Sequence, residues 1–588
     1  MSASTPSTPT SSSFSSRSGT PPPGTPPNLH QNTIDPAAQW LVQKYGGTSV
    51  GKFAAQIAED IVPDYLDQHK LAIVCSARSG STKALGTTNL LLRAASEALQ
   101  RAPPSSLPSS SSGAVTPLSS SIFHRGSRSN SPPQSGLNGH ADVPAFSATV
   151  DVIRREHLVA AKAAVRDRAV LQELEAEIER DCEGLRGFLY ATQVIDEISP
   201  RSKDSIIGFG EKLACKIIVA ALRDRGIDAE YVSLENVVPP HDDVDAGSDG
   251  ALGQSFYDKV SAAFAERIQE CGPRVPVVTG FFGPVPGSLL RQVGRGYTDL
   301  AAALLAAGLG ASELQIWKEV DGIFTADPRK VPTARLIPII SPEEAAELTY
   351  YGSEVVHPFT MEQVIRRKIP IRIKNVENPK GGGTVIHPDA DVDATIAPHD
   401  NADGLHGGID LLTLGDAHFL APQKLPTAVT IKERIVVLNV QSNRKRVSHG
   451  FLAGIFGTLD RFGVVVDLIS TSEVYVSMAI EDVLDRKLQA RLVRELEKIG
   501  TVSVHHQMAI LSLVGKQMRH LVGIAGRMFA TLAQGNVNIE MISQGANEIN
   551  ISCVIDTRDA VKALNLIHQS CLQIKPEGPK GRVGPWLF

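Results

Sequence analysis

The sequence predicts an α/β protein: a mostly parallel sheet with helices on both faces, followed by two ferredoxin-like βαββαβ modules. Two observations carry this. Short apolar runs end in glycine or serine turns and pass at once into helical periodicity, the pattern of βαβ units. The last third of the chain repeats itself at a fixed offset. Composition agrees, since 588 residues at 42% hydrophobic can bury a large core. The 58 Lys+Arg nearly balance 63 Asp+Glu, which excludes a nucleic-acid footprint. The longest apolar run, near Leu300 to Ala311, is too short for a bilayer, so no membrane partner and a cytoplasmic location are expected. Six cysteines without C-x-x-C spacing argue against a zinc cluster or disulfide framework, and no metal ligand is assigned.

Residues 1–38 are rich in Ser, Thr and Pro and are expected to be disordered. Arg17 is the only Lys or Arg before Asp35, and the prolines forbid an amphipathic helix, so a transit peptide fits poorly. Trp40 to Tyr45 reads as a strand, followed by Gly46-Gly47-Thr48-Ser49 and by Val50, Phe53, Ala54, Ile57 and Ile61 at helical spacing. A strand, a glycine turn and a helix N-terminus make an anion site, to which Lys44 adds a full charge. An incidental lysine beside a plain GG turn remains the alternative. Phe53 stands where a Walker P-loop needs a hydroxyl, so GGTSVGK is not read as one. Leu71 to Cys75 is the next strand; it ends in Ser76-Ala77-Arg78-Ser79-Gly80, and a helix containing Thr88 follows. In a parallel sheet both turns open on the same edge. A second low-complexity stretch, 102–147, is expected to be a surface loop.

Gly208 to Ala214 reads as the entry to a helix, with Glu211 near its start. Val275 to Phe281 is a strand running into a glycine turn. Gly294-Arg295-Gly296-Tyr297-Thr298-Asp299 then opens an Ala/Leu-rich helix. Arginine between two glycines suits a bidentate clamp on a carboxylate. Asp299 reads either as a helix cap or as a catalytic carboxylate, and its place denies the third glycine of a Rossmann fingerprint. Ser341 to Glu344 is a capping box, and His357 before Pro358 is read as structural. In the tail, Gly450 to Leu459 matches Gly523 to Leu532, and Val464 to Ser470 matches Val537 to Ser543.

KYGGTSVGKF, IVCSARSG, TTNLLL, GFGEKLA, GRGYTD, IWKEVDGIFTADPR and YGSEVVHP occur in the order of the motifs of aspartate kinases, which they resemble. The duplicated tail resembles ACT domains. The resemblance implies the amino-acid kinase fold over 39–390, with the insert 102–147, a linker 391–424, and ACT domains over 425–505 and 506–580. It implies transfer of phosphoryl from ATP with Mg2+ to the side-chain carboxylate of L-aspartate. The product, 4-phospho-L-aspartate, leads to threonine, methionine and lysine. By the same resemblance Lys44 and Asp299 are catalytic, and Ser76, Thr88, Glu211, Arg295, Gly296 and Thr298 bind substrate. The nucleotide falls to Lys44, Gly46, Gly47, Thr48, Ser49, Lys318, Glu319, Phe324, Asp327 and Arg329. Asp467, Ser470, Asn538, Ile539 and Gln544 are the effector candidates. Likeness to fungal enzymes implies threonine as the feedback amino acid, with lysine as the alternative, and a homo-oligomer formed through the ACT domains.

The sequence departs from the family at Tyr297 and Thr298, where a glycine and a serine are usual, at Phe324, commonly tyrosine, and at Glu354, often lysine. Two rival readings are weighed. Another amino-acid kinase, such as a glutamate 5-kinase, lacks the ACT pair. A non-catalytic amino-acid sensor would tolerate loss of Lys44, Arg295 or Asp299, and all three are present. A fused homoserine dehydrogenase is not expected, since the sequence closes at Phe588 soon after the second copy.

Overall fold

A computed structural model describes residues 29–80, 85–100, 144–238, 252–285, 287–352, 356–388, 425–442, 450–472 and 474–574, with the Arg295 side chain excepted. Most of the low-complexity head, nearly all of the insert and the linker lie outside these residues, as does Glu354. Residues 29–38, expected to belong to a disordered head, are instead docked on the catalytic domain. Asn32 is buried and exchanges two hydrogen bonds with the Leu71 backbone, at 2.9 and 3.1 Å.

The catalytic domain opens with β1 (Trp40–Tyr45), α1 (Gly47–Gln56), α2 (Pro63–Leu66), β2 (Lys70–Cys75) and α3 (Thr87–Ala98). Three long helices follow: α4 (Ala145–Ala164), α5 (Arg168–Ile195) and α6 (Pro200–Asp224). Next come β3 (Ala229–Val232), α7 (Gln254–Gln269), β4 (Val275–Thr279), α8 (Leu289–Gln292), α9 (Tyr297–Leu309) and β5 (Glu313–Lys318). β6 (Ile339–Ile340), α10 (Pro342–Tyr350), α11 (Pro358–Ile365), β7 (Ile371–Asn375) and β8 (Thr384–Ile386) complete it.

These strands form one eight-stranded sheet in the order β3-β4-β2-β1-β5-β7-β8-β6, parallel except for the β7–β8 pair. Both faces are covered, so side chains alternate between two cores. Leu41, Tyr45, Leu71 and Ile73 pack under α1 and α3–α6, while Val42, Ala72 and Val74 pack against α7 and α9. α9 is apolar all round and accordingly buried from Leu300 to Ala306. The chain moves from β1 to β2 on one side and returns to β5 on the other. β1 is therefore the switch point, where the loops part and a ligand crevice opens.

Glu211 is not near a helix start. It lies midway along the 25-residue α6, which begins eleven positions earlier with Ser199 as N-cap and Pro200 in the first turn. The glycines around it serve close packing, not a turn: a Cβ on Gly208 would stand 2.7 Å from the Phe281 ring.

The C-terminal module comprises β9 (Ala428–Ser442), α12 (Phe451–Arg461), β10 (Val466–Thr471), β11 (Tyr475–Glu481), α13 (Arg486–Glu497) and β12 (Gly500–Val514). It continues with α14 (Ile524–Gln534), β13 (Met541–Gln544), β14 (Asn550–Asp556) and α15 (Ala560–Cys571). The repeat is visible in the backbone: α12 and α14 both follow a left-handed glycine, Gly450 at φ 88° and Gly523 at φ 89°.

The two copies are interleaved, however, and not consecutive βαββαβ units. Sheet order is β10-β11-β9-β12-β14-β13, every pair antiparallel, and β9 and β12 each run 15 residues. Gly500–His505 pair with Val437–Ser442 to close the first copy, while Ile510–Val514 pair with Ala428–Lys432 to close the second. The fourth strand of the second copy is thus the start of β9, and among the described residues no strand follows α15. Among those residues, too, no helix is long and apolar enough to cross a membrane.

Candidate active site

At the switch point β1 delivers Lys44 and Tyr45, and α1 begins with Gly46 as an extended N-cap. The first-turn amides have no intrahelical partner, which makes this helix start a candidate anion cradle. The loops after β1 and β2 are tied together, with Ser76 N donating to Tyr45 O at 3.1 Å and Ser79 N to Gly47 O at 2.8 Å. That contact requires glycine at 47, where a Cβ would stand 2.4 Å from Ala77 O; at Gly46 nothing comes nearer than 3.9 Å. Lys44 is 7% exposed and its ammonium lies 2.7 Å from the Asp299 carboxylate, in the first turn of α9. Gly296, not Asp299, is the N-cap there, so Asp299 is free to serve Lys44.

A cavity of about 690 Å3 opens beside this pair. Thr48, Ser76, Thr88, Glu211 and Thr298 line it, joining five sequence candidates from separate segments. Glu211 is 1% exposed; it accepts from Thr298 Oγ1 at 2.6 Å and from the Phe281 amide at 2.5 Å. Burial pushes its carboxyl up to about 7, against the opposing pull of these donors, Tyr297 and the Lys44 charge. Gly296 ends the turn leading into α9 and is not a lining residue; the Arg295 side chain is outside the described residues.

Sequence reasoning missed Arg78, Lys203, Ile207 and Tyr297 as lining residues. Lys203, Ile207 and Glu211 are spaced i, i+4, i+8, one face of α6, and that spacing was the available signal once the helix start at Ser199-Pro200 is read. Tyr297, a departure from the family pattern, places its hydroxyl against Glu211.

The nucleotide candidates after β5 form a second region, and none of them lines this cavity. From α1, Ser49 Oγ reaches this region, donating to Glu319 Oε1 at 2.8 Å. Lys318 ends β5, its carbonyl accepting from Val376 N at 2.9 Å. Phe324 is half-buried and bridges to Leu336. Asp327 pairs with Arg329 at 3.1 Å, and the Arg329 side chain is 88% exposed. On either side of them the apolar residues turn inward, for Ala326 and Val331 belong to the core of the second repeat, with Leu511, Leu532 and Ile567. Among the described residues no group of three or more His, Cys, Asp or Glu is arranged to hold a metal ion.

The effector candidates lie on or near the two edge strands. Asp467 on β10 is engaged inside the chain, 2.8 Å from Lys432 Nζ with its side chain 4% exposed. Ser470 pairs across the ladder with Ser477 and is exposed. Asn538 donates to Glu540 Oε1 at 3.0 Å, Ile539 packs on the core of the second repeat, and Gln544 is exposed at the end of β13. His357 has a structural place, its ring nitrogen accepting from the Phe359 amide at the start of α11. The Ser341–Glu344 capping box is present as expected.

Comparison with known proteins identifies the family and the fold. The model of the amino acid kinase family matches residues 39–375, and an ACT domain model matches 511–571. The aspartokinase of Schizosaccharomyces pombe is 49% identical over 539 residues, covering 92% of this chain and 94% of the relative. The aspartokinase of Saccharomyces cerevisiae is 45% identical over 547 residues, covering 91% and 93%. Among solved structures, E. coli aspartokinase III in complex with aspartate and ADP superposes with a TM-score of 0.61 at 25% identity, covering 90% of this chain and 99% of that one. The same enzyme with lysine and aspartate gives a TM-score of 0.64 at 24% identity and the same coverage, a likeness of fold.

Proposed function

The chain belongs to the aspartokinases of the amino acid kinase family, and from that premise we propose how its residues divide the work of phosphorylating L-aspartate. The observation that carries the proposal is that buried Glu211, fit for an ammonium, lines the cavity, while Lys44, close enough for its charge to act on Glu211, stands at the N-terminus of α1 to meet anions. A zwitterionic amino acid with a reacting carboxylate needs both.

A carboxylate oxygen is already a nucleophile, so no general base is required. The barrier lies in bringing two anions together in line, which calls for fixed positive charge and positioning. Lys44 meets the transferred phosphoryl group of ATP, and Asp299 fixes the direction of the ammonium. Glu211 holds the substrate ammonium, Arg295 clamps a carboxylate, and Ser76, Thr88 and Thr298 support them. The segment from Lys318 to Arg329 holds the nucleotide, with Phe324 near the adenine and Arg329 on phosphate. Mg2+ travelling on phosphates needs few protein ligands; Asp299 and Glu319 are the carboxylates of this edge that would share it, and it would neutralise phosphate charge.

Regulation is read into the ACT module: threonine binds at the β10 and β13 edges, and copies of the chain associate there. The exposed Ile469 and Ile542 on those strands support association. Products that feed threonine, methionine and lysine synthesis, and a cytoplasmic location, complete the reading. One experiment tests most of it: ADP release measured with aspartate or glutamate as acceptor, with threonine, lysine or methionine added in turn. Turnover with aspartate, none with glutamate, and inhibition by threonine alone are expected. Inhibition by lysine alone would overturn the effector assignment.

A further inference from the structure

The nucleotide segment is physically part of the regulatory module's core. Ala326 and Val331 are 4% and 0% exposed among side chains of the second repeat, while Asp327 and Arg329 face outward between them. From the regulatory side, α15 presents His568, fully buried, to this segment. Its Nε2 lies 2.9 Å from Thr325 Oγ1 and its Nδ1 3.4 Å from Thr333 Oγ1, so one ring spans both ends of the loop. Asn565, one turn earlier, donates to Lys330 O at 3.1 Å, and β9 adds Val429 N to Thr325 O at 2.8 Å.

We propose that His568, a residue of the regulatory module, is a positioning residue for ATP, holding the 325–333 loop so that Asp327 and Arg329 meet the nucleotide. Each threonine hydroxyl can donate or accept, Thr325 Oγ1 keeping a lone pair after accepting from the Arg335 amide at 2.9 Å, so either neutral tautomer of the ring donates from one nitrogen and accepts at the other. That arrangement needs a neutral ring, and burial together with the Arg335 charge lowers the imidazole to about 4. The consequence is specific: a change in the regulatory core reaches ATP through a loop it already contains, without passing through the aspartate pocket. The inference rests on the nucleotide role proposed for this segment.

Steady-state kinetics on the full chain test it. His568→Ala and, from the loop side, Thr325→Val are each expected to raise the KM for ATP about five- to tenfold, the range one lost hydrogen bond supplies. The KM for aspartate and kcat stay within about twofold, and the double variant is expected to be no worse than the worse single one, because both remove the same contact. His568→Gln, which keeps a donor and an acceptor, is expected to recover part of the ATP affinity. Arg329→Ala is the control for the underlying reading. If it raises the ATP KM and neither Thr325→Val nor His568→Ala does, the positioning role fails and the nucleotide segment stands. If Arg329→Ala also leaves the ATP KM unchanged, the segment's nucleotide role fails, and the inference with it. Equal loss for both substrates together with a lower melting temperature would reduce His568 to a packing residue.

Discussion

Glu211 and Arg329 are assigned to the two substrates of one reaction, yet their surroundings are opposite. Glu211 is 1% exposed, held by Thr298 and the Phe281 amide inside the catalytic core. The Arg329 side chain is 88% exposed, tied to its neighbour Asp327, on a loop whose apolar residues are buried in the regulatory module. On the proposed assignment, the aspartate side of the site is therefore built by the kinase fold alone. On the same assignment, the nucleotide side is shared with the ACT module. A core that is close-packed resists graded deformation, so control is more cheaply exerted on the loop than on the pocket.

The largest expected effect is at the residue serving both sides. Lys44→Ala removes the charge facing the phosphoryl group and is expected to lower kcat by about a thousandfold or more. The fold should persist, because the Asp299 side chain left behind is 22% exposed and can be hydrated. Near-normal ADP release would end the assignment of Lys44, whatever the melting curve shows.

Glu211 gives the next effect, with a stability signature that the exposed side cannot show. Its carboxyl titrates at about 7 instead of the ordinary 4.5. The folded state therefore binds the proton more tightly, and this group lowers stability as pH rises from 4.5 through 7, by up to about 3 kcal/mol above that range. Glu211→Gln is thus expected to raise the aspartate KM about thirtyfold or more, through loss of a charge-assisted hydrogen bond. It is also expected to melt higher than wild type at pH 8 but not at pH 4. A variant that loses aspartate affinity and is also less stable at pH 8 would show that the buried charge is not the cost it is taken to be.

The wild-type pH profile sharpens the same point. An ammonium binds the ionised carboxylate, so the aspartate KM should rise as pH falls below about 7, approaching tenfold per unit. The ATP KM should not share that limb, and Glu211→Gln should abolish it. An identical limb in both KM values would place the titrating group elsewhere.

How much of this was legible in the sequence also differs between the two regions. Strands ending at Tyr45 and Cys75 and the strand before Gly280 stood out, because buried parallel strands are short apolar runs bounded by turn residues. Glu211 was found by motif but misplaced: Gly208 and Gly210 looked like a turn, and the true start at Ser199-Pro200 lies outside the motif. The contact of His568 with Thr325, 243 residues apart, left no local signal. The interleaving of the ACT copies was hidden for the same reason. Repetition is a property of sequence, whereas the choice of which strand closes which sheet depends on the double length of β9 and β12.

The smallest expected effect lies at the seam between the regions. Ser49 is fully buried in the first turn of α1, and its hydroxyl has one proton to give. Glu319 Oε1 at 2.8 Å is the better acceptor, with Trp317 O at 3.3 Å. This bond fixes the first residues after β5 to the anion cradle, and Ser49→Ala removes it. Since Glu319 retains solvent on its other side, the loss should be near one ordinary hydrogen bond, about 1 kcal/mol. If the nucleotide spans the seam, that loss appears as an ATP KM raised about fivefold, with aspartate KM unmoved. An equal rise for aspartate would mean that the two halves are one rigid site, and the division drawn between them would have to be given up.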